Sequence, residues 1–347
     1  MATENPNTNL LQIYASSFRK NWQLPAISEF GSADVMSYGD LARRIAATHM
    51  LFRQLGLKRG DKVALMGKNS MTWIEIYMAT ITYGAVIVPV LHDFNPIDAQ
   101  HIIVHSESVL LFVNESIFEH IDFEGIPNVR AVFSLERRAV LDERDNVNAS
   151  KTISQLNERM KRKYPAGFTP DDIDYPLLPK DTVIEINYTS GTTGFSKGVM
   201  LTLDNLAGNV IFGINSRLHY SGSRALAFLP LAHAYGCAFD MLVPLAVGTH
   251  ITVLGKLPTP RLLLKAFTEV KPNLIITVPL ILEKIYRNKL RPVLEKTSVR
   301  ALLKLPGVNK LIYRKIRRQL VEAFGGEFEE VIVGGAPLNR EVEEFLH

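Results

Sequence analysis

The residues with the clearest capacity for chemistry lie between Tyr188 and Gly198, in the order Tyr-Thr-Ser-Gly-Thr-Thr-Gly-Phe-Ser-Lys-Gly. From Thr189 to Gly198 this segment has five hydroxyl groups, three glycines and one lysine. Glycine allows the backbone to approach a ligand closely and to turn successive N–H groups toward one point. Hydroxyl groups donate to phosphate oxygens, and Lys197 adds a full positive charge. The segment therefore predicts a loop that binds a polyphosphate.

This loop differs from the common P-loop of nucleotide-binding proteins. The P-loop ends in Gly-Lys-Ser/Thr, and its terminal hydroxyl binds magnesium. Here Ser196 precedes Lys197 and Gly198 follows it. A polar turn without a ligand is the alternative interpretation, but the density of glycine and hydroxyl groups directly after a predicted strand favours phosphate.

Short β-branched runs alternate along the chain with amphipathic stretches of helical length. Strands are predicted at Lys62–Met66, Ala85–Val90, Val109–Val113, Val183–Tyr188, Ala225–Leu229, His250–Leu254, Leu274–Val278 and Glu330–Val333. Helices are predicted at Tyr38–Leu55, Met71–Tyr83, Asp98–His105, Leu203–Arg217, Arg261–Val270, Pro279–Leu290 and Asn339–Leu346. Ser37 is the predicted N-cap and Gly56 the predicted stop of the first helix. This alternation predicts an α/β fold whose parallel sheets are covered by helices on both faces.

The 347 residues fit one large α/β domain made of two sub-domains. Hydrophobic residues make up 47% of the chain and charged residues 21%, which is a globular composition. The stretch Glu136–Lys180 is more polar than its surroundings and has few β-branched runs. We therefore predict a sub-domain boundary there, with residues 1–170 before it and residues 171–347 after it.

The net charge and the number of cysteines indicate which kinds of partner and which cellular compartment to expect. The net charge of +4 gives no reason to propose nucleic acid as a partner. A single cysteine, Cys237, cannot form an intrachain disulfide and suits a reducing cytoplasm. The apolar window Ala225–Leu254 contains Pro230, His233 and Asp240, so it predicts a buried core rather than a membrane span. We expect a cytoplasmic protein.

The segment Thr189–Gly198 resembles the signature loop of the adenylate-forming superfamily, which includes acyl-CoA synthetases, luciferases and the adenylation domains of nonribosomal peptide synthesis. That family usually has proline before the lysine, where this chain has Ser196. Further segments are similar to family motifs and occur in the expected order: Tyr38–Leu41, Gly60–Val63, Gly84–Val90, Phe228–Gly236 and Gly334–Leu338. The resemblance covers nearly the whole chain. It implies the N-terminal domain of such an enzyme, with two parallel-type sheets sandwiched by helices.

The resemblance also implies roles for individual residues. The β- and γ-phosphates of ATP would be held by Thr189, Ser190, Gly191, Thr192, Thr193, Gly194 and Lys197. The adenine would be lined by Gly334, Gly335, Ala336 and Pro337, and the acyl site by His233 and Tyr235. Thr193, Lys197 and His233 are expected to contribute to catalysis, and no protein ligand for a metal is assigned. Considered alone, His233 would more often be a core histidine, and Gly334-Gly335 an ordinary turn.

The segment Thr277–Tyr286 resembles the corresponding helix start of long-chain fatty acid–CoA ligases. After it, from Arg287 to Leu320, eleven Lys and Arg residues stand against one acidic residue, Glu295. The ordinary interpretation of such a run is a solvated helical face. Two functional interpretations are contact of residues 287–320 with an anionic membrane, where the acyl substrate is collected, and contact with the phosphates of CoA.

The implied reaction joins a long-chain fatty acid to AMP, with release of pyrophosphate, and then transfers the acyl group to CoA. ATP, Mg²⁺ and CoA are the expected cofactor and co-substrates. In the family, the parts that hold magnesium, bind the ribose and orient the carboxylate follow the Gly-Gly-Ala-Pro-Leu motif, after which this chain soon stops. We therefore expect a truncated chain that lacks the small C-terminal domain and does not turn over alone. The alternatives are another acyl- or aryl-adenylate-forming ligase and a non-catalytic protein that binds nucleotide or acyl-adenylate.

Overall fold

The computed structural model describes residues 9–145, 147–189, 197–295 and 308–346. Its strands are β1 Pro25–Glu29, β2 Val35–Ser37, β3 Lys62–Met66, β4 Val86–Val90, β5 Ser108–Val113, β6 Ala131–Ser134, β7 Val140–Glu143, β8 Val183–Thr189, β9 Lys197–Thr202, β10 Arg224–Ala227, β11 His250–Val253, β12 Leu274–Thr277 and β13 Glu330–Val333. Its helices are α1 Leu10–Lys20, α2 Tyr38–Gln54, α3 Met71–Tyr83, α4 Pro96–His105, α5 Glu115–Phe118, α6 Ala149–Ser154, α7 Leu156–Lys163, α8 Leu203–Asn215, α9 Ala234–Gly236, α10 Val243–Val247, α11 Pro260–Val270, α12 Pro279–Ile285, α13 Arg291–Leu294, α14 Val308–Ala323 and α15 Arg340–Leu346. Two π-helical segments, Cys237–Leu242 and Tyr286–Leu290, follow α9 and α12.

The larger sheet has seven strands in the order β7-β6-β5-β3-β4-β8-β9. Its inner pairs β5/β6, β3/β5, β3/β4 and β4/β8 are parallel. Its two edge pairs, β6/β7 and β8/β9, are antiparallel. Parallel inner strands connected through helices confirm the predicted α/β class, and the edge strands make the sheet mixed.

A four-stranded sheet has the order β10-β11-β1-β2, and a two-stranded parallel sheet pairs β12 with β13. Both sheets with four or more strands take strands from both sides of residue 170: β1 pairs with β11 in the smaller one, and β4 pairs with β8 in the larger one. The sub-domain boundary at residue 170 stays a prediction, because each of these two sheets contains strands from both predicted sub-domains.

Local sequence explains where several elements begin and end. The Ser37 side chain accepts a hydrogen bond from the Asp40 amide, and the Asp40 carboxylate accepts one from the Ser37 amide, which forms the predicted cap of α2. Gly56 lies just beyond the end of α2 with φ +67°, a conformation that favours glycine. Gly248, with φ +94°, separates α10 from β11.

The core lies between and around the two larger sheets. Helix α3 is buried on nearly all sides and packs against β1 of the smaller sheet and against β3 and β4 of the larger one. Trp73 and Tyr77 of α3 are fully buried and stack at 5.5 Å between ring centroids. This all-round burial explains why α3 is predominantly apolar. In the part of the chain that the structure describes, no helix has the length and apolarity that a membrane span requires.

The phosphate loop follows a strand, as the sequence predicts, and a second strand that was not predicted, β9, lies between the loop and α8. The loop therefore joins two antiparallel strands of a hairpin. The strands that were not predicted are β1, β2, β6, β7 and β9, and the helices that were not predicted are α1, α5, α6, α7, α9, α10, α13 and α14. The predicted strands and helices are present, with ends that differ by a few residues.

Candidate functional site

The ends of the phosphate loop are held by strand pairing. Thr189 is the last residue of β8 and lies opposite Lys197, the first residue of β9, in the antiparallel register. Both residues are exposed. The predicted phosphate ligands Ser190, Gly191, Thr192, Thr193 and Gly194 lie outside the described residues. The structure therefore places Thr189 and Lys197 side by side at the tip of the β8–β9 hairpin, where both can reach one anionic ligand.

The base of this hairpin is closely packed. A Cβ atom on Gly198 would lie 2.9 Å from Ile186 Cγ2 and 3.0 Å from Tyr188 Cζ, so the neighbouring strand leaves no room for a side chain. The Tyr188 hydroxyl hydrogen-bonds His105 Nδ1 of α4 at 2.7 Å. Burial raises the pKa of the Tyr188 hydroxyl, which keeps it neutral and able to donate. These contacts fix the strands from which the loop projects.

His233 lies in the turn between β10 and α9. It is exposed and caps α9, because its Nδ1 accepts a hydrogen bond from the Tyr235 amide at 3.4 Å. In a neutral ring this contact leaves the proton on Nε2. The predicted alternative of a buried core histidine is therefore not what the structure shows. The side chain stands at the wall of a cavity instead.

The two glycines of the predicted adenine segment follow β13. The Gly334 amide donates to the Thr277 carbonyl at 3.1 Å, which extends the β12/β13 pairing by one bond. A Cβ atom on Gly334 would lie 2.6 Å from both Cζ and the hydroxyl oxygen of Tyr235. Gly335 has φ +84°. A side chain at position 334 would therefore displace the Tyr235 ring, and position 335 favours glycine because of its backbone conformation.

Tyr235 has a buried hydroxyl with no hydrogen-bond partner among the described residues. Burial and the nearby Asp240 raise the pKa of this hydroxyl, so it is protonated and can donate. Its ring packs edge-on against Phe239, with 5.5 Å between centroids. A buried hydroxyl without a partner is unusual in a folded protein and marks a position where a ligand can accept a hydrogen bond.

His233, Tyr235 and Gly335 meet at one cavity of about 440 Å³. Of the predicted site residues, His233, Tyr235 and Gly335 line it, whereas Ala336 and Pro337 are exposed in the loop that follows. Apolar side chains form most of the remaining wall: Phe228, Leu229, Leu257, Leu263, Val278, Leu280 and Ile281. Thr189 and Lys197 do not line this cavity. The arrangement offers an apolar chamber with a histidine and a tyrosine at its polar side.

The structure also shows lining residues that sequence reasoning missed. Lys284 of α12 lies on the cavity, together with Leu280 and Ile281. Positions 280, 281 and 284 share one helical face, so spacing along α12 could have revealed them. Leu257 and Leu280 are 80% and 59% exposed, and they give the cavity an apolar rim.

A buried carboxylate supports the turn that carries His233. Asp240 is 2% exposed, and it accepts a hydrogen bond from the Leu229 amide at 3.4 Å. Burial raises the pKa of Asp240 well above its usual range. Within the described ranges no group of three or more His, Cys, Asp or Glu side chains could hold a metal ion.

One observation of this structure fits a bound nucleotide: the Tyr235 hydroxyl, at the wall of the cavity, has no hydrogen-bond partner among the described residues. Thr189 and Lys197 supply a hydroxyl and a positive charge at the hairpin. Such a set suits a ligand with an aromatic base at one end and phosphates at the other.

Comparison with known proteins identifies the family. The AMP-binding enzyme family matches residues 16–347, and the chain belongs to this family. This confirms the resemblance to adenylate-forming enzymes that the sequence motifs predict.

Among curated relatives, the long-chain-fatty-acid–CoA ligase FadD15 of Mycobacterium bovis is 26% identical over 337 residues, which cover 88% of this chain and 52% of the relative. Long chain acyl-CoA synthetase 4 of Arabidopsis thaliana is 26% identical over 326 residues, which cover 85% of this chain and 46% of the relative. The chain thus spans about half the length of the curated relatives it matches.

Solved structures agree on the fold. The N-terminal domain of FACL13 from Mycobacterium tuberculosis has a TM-score of 0.71 at 17% identity, covering 97% of this chain and 72% of that one. ATP-bound MatB from Rhodopseudomonas palustris has a TM-score of 0.71 at 21% identity, covering 97% of this chain and 57% of that one. At these identities the similarity shows a shared fold and leaves the substrate open.

Proposed function

We propose that this chain forms the nucleotide- and acid-binding part of an enzyme that activates a fatty acid as its acyl-adenylate and passes the acyl group to CoA. The observation that carries the proposal is the apolar cavity bounded by His233, Tyr235 and Gly335. Its rim exposes Leu257 and Leu280, which suits the entry of an apolar chain. The names of the relatives, which include long-chain fatty acid–CoA ligases, support a fatty acid as the substrate.

In the proposed first step, a carboxylate oxygen of the acid forms a bond to the α-phosphorus of ATP. The bond from that phosphorus to the bridging oxygen breaks, and pyrophosphate leaves. In the second step the CoA thiol attacks the acyl carbon, loses its proton and displaces AMP. Most of what a protein can supply in such steps is positioning and charge stabilisation.

Each described residue has a defined part in this proposal. Lys197 would neutralise charge on the β- and γ-phosphates, and Thr189 would donate to a phosphate oxygen. Gly334 and Gly335 would lie along the adenine, and the Tyr235 hydroxyl would donate to the ligand. His233 would face the acid at the polar side of the cavity. Contact of residues 287–320 with an anionic membrane is a further part of the proposal. It is supported by the exposed Arg314 and Arg318 of α14.

The proposal is tested by calorimetric titration of the 347-residue chain with ATP and with a long-chain acyl-AMP analogue. The Lys197→Ala variant should bind ATP about 10- to 100-fold more weakly, because a charge-assisted contact to the phosphates is lost. The acyl-AMP analogue has no β- or γ-phosphate, so its affinity should change less than about threefold. Lys161→Ala, in the exposed last turn of α7, is the matched control. If Lys197→Ala and Lys161→Ala bind ATP equally well, the assignment of the hairpin is wrong.

A product assay separates the proposed reaction from its alternatives. An enzyme that includes this chain should release AMP together with acyl-CoA. Accumulation of a stable adenylate instead would indicate another adenylate-forming ligase. Tight binding of both ligands without pyrophosphate release would indicate a binding protein.

A further inference from the structure

A buried amide joins the hairpin strand β8 to the segment that carries His233. Asn187 is 8% exposed, and it lies two residues before Thr189. Its Nδ2 donates to the Ala232 carbonyl at 3.3 Å and to Glu185 Oε1 at 3.0 Å. Because Ala232 directly precedes His233, one side chain connects the two halves of the proposed site.

Glu185 holds Asn187 in this orientation. Its carboxyl group is buried, with 1% exposure, and its Oε2 accepts a hydrogen bond from the Tyr77 hydroxyl of α3 at 2.5 Å. Among the described residues no lysine, arginine or histidine lies within ion-pair distance of Glu185. Burial raises the pKa of this carboxyl group. Burying a carboxyl group without a neighbouring cation destabilises the folded protein. Hydrogen bonds from Tyr77 and Asn187 offset part of this destabilisation.

The chain on the other side of His233 is also held. Cys237 is buried, and its amide donates to the His233 carbonyl at 2.8 Å. The backbone is thus held on both sides of His233, at the Ala232 carbonyl before it and at the Cys237 amide after it.

The position of these polar groups on β8 separates this network from ordinary core packing. Side chains at alternate positions of a strand point to the same face, so Glu185, Asn187 and Thr189 share one face of β8. The opposite face carries Ile186 and Tyr188, which pack in the apolar cluster under α4. Apolar side chains at positions 185 and 187 would require less free energy to be transferred from water into the core. Polar groups there instead impose one relative placement of the two segments.

We propose that Asn187 and Glu185 are positioning residues, which set the distance between the phosphate end of the site at Thr189 and Lys197 and the base and acid end at His233 and Tyr235. This inference rests on the proposed function, since it assumes a ligand that contacts both ends. ATP is such a ligand, whereas AMP reaches the base end and inorganic tripolyphosphate reaches the phosphate end. When two contacts are linked in one ligand, their combined affinity depends on how well the spacing of the two ends matches it.

The test compares these three ligands on the 347-residue chain by calorimetry. In Asn187→Leu, which keeps side-chain volume but removes both hydrogen bonds, ATP affinity should fall about tenfold, equivalent to about 1.4 kcal/mol. The affinities for AMP and for tripolyphosphate should each change less than about threefold. Glu185→Gln, which can still accept from Asn187, should keep the ratio of ATP to AMP affinity, whereas Glu185→Leu should lose it.

Ser17→Ala is the matched control for stability. It removes another buried hydrogen bond between separate elements, from Ser17 Oγ to the Leu245 carbonyl at 2.7 Å. This control should leave all three affinities unchanged. If Asn187→Leu does not fold, Asn187→Ser provides the same comparison with a smaller side chain.

Two results would overturn the inference alone: equal weakening of all three ligands by Asn187→Leu, which indicates a general structural role, or an unchanged ATP affinity. A wild-type chain that binds ATP no more tightly than AMP and tripolyphosphate would overturn the proposed function, and the inference with it. The wild-type titration therefore distinguishes the two failures.

Discussion

The close approach of Gly334 to Tyr235 predicts the effect of adding a single methyl group at the site. In Gly334→Ala the new Cβ would lie 2.6 Å from Tyr235 Cζ and from its hydroxyl oxygen. Carbon atoms in contact are ordinarily about 3.5–4.0 Å apart. The end of the Tyr235 ring must therefore move by about 1 Å.

The available space determines where the ring goes. Phe239 packs on Tyr235 with 5.5 Å between centroids, whereas the cavity of about 440 Å³ is open beside the ring. We expect the ring to move into the cavity and to reduce the affinity for a long-chain acyl-AMP analogue about 10- to 100-fold, since misplacement of a ligand-contacting group by 1 Å can have an effect of that order. Only the tip of one side chain moves, so the free energy of unfolding should change by less than about 1 kcal/mol. Calorimetry measures the first quantity and urea denaturation the second.

Two variants control this prediction. Tyr235→Ala removes the ring, so adding Gly334→Ala in that background should have little further effect on binding. Gly208→Ala places a methyl group in α8, where no atom lies within 4 Å, and it should leave binding unchanged. The reasoning is refuted if Gly334→Ala binds the analogue as tightly as wild type, or if its loss persists when Tyr235 is absent.

Three further predictions concern stability, pH and lipid binding. In Gly213→Ala the new Cβ would lie 2.5 Å from Val243 Cγ1, and this overpacking should outweigh the helix propensity of alanine, giving about 1 kcal/mol of destabilisation in urea that Val243→Ala relieves. Burial lowers the pKa of His49 to about 3, so the unfolded chain binds the proton first and stability should decline as pH falls from about 6.5 toward 3. His49→Gln should lessen that pH dependence of the unfolding free energy, and an unchanged slope would contradict the assignment. Replacing Arg314 and Arg318 by glutamine should weaken binding to anionic vesicles roughly fivefold per residue and leave binding to neutral vesicles unchanged, and equal binding to both lipids by wild type would exclude the contact.

Local sequence patterns were sufficient for the inner strands and for seven of the fifteen described helices. The strand β3 and the helix α3 begin and end where the sequence predicts, because an apolar β-branched run and a serine-capped apolar run carry their own boundaries. Strand β9 was missed because it begins at Lys197 inside the loop motif, and its first four residues are exposed at the edge of the sheet. No alternation of apolar and polar residues marks such a strand.

Long-range pairing explains another part of what was missed. Strand β1 pairs with its neighbour β2 and also with the distant β11, where Ile27 lies opposite Ile251. A segment of five residues bounded by loops gives little local evidence for such pairing. The same limit applies to the site: His233, Tyr235 and Gly335 were predicted from motifs, whereas Lys284 and Asn187 gain their significance from neighbours that are distant in the sequence.

His233 follows β10 of the four-stranded sheet. The segment between β10 and His233 is held in place by side chains of the seven-stranded sheet and of the loop after β3. Asn69, just after β3, donates to the Leu229 carbonyl at 2.7 Å and accepts from the Leu231 amide at 3.0 Å. Asn187 of β8 donates to the Ala232 carbonyl, so two asparagines hold the four residues that lead to His233. The segment then folds back on itself, since a Cβ on Gly236 would lie 2.5 Å from the Pro230 carbonyl oxygen. Hydrogen bonds to backbone atoms fix position whatever side chains the segment carries. The seven-stranded sheet can therefore hold the His233 segment in place, while the side chains of that segment remain available to line the cavity.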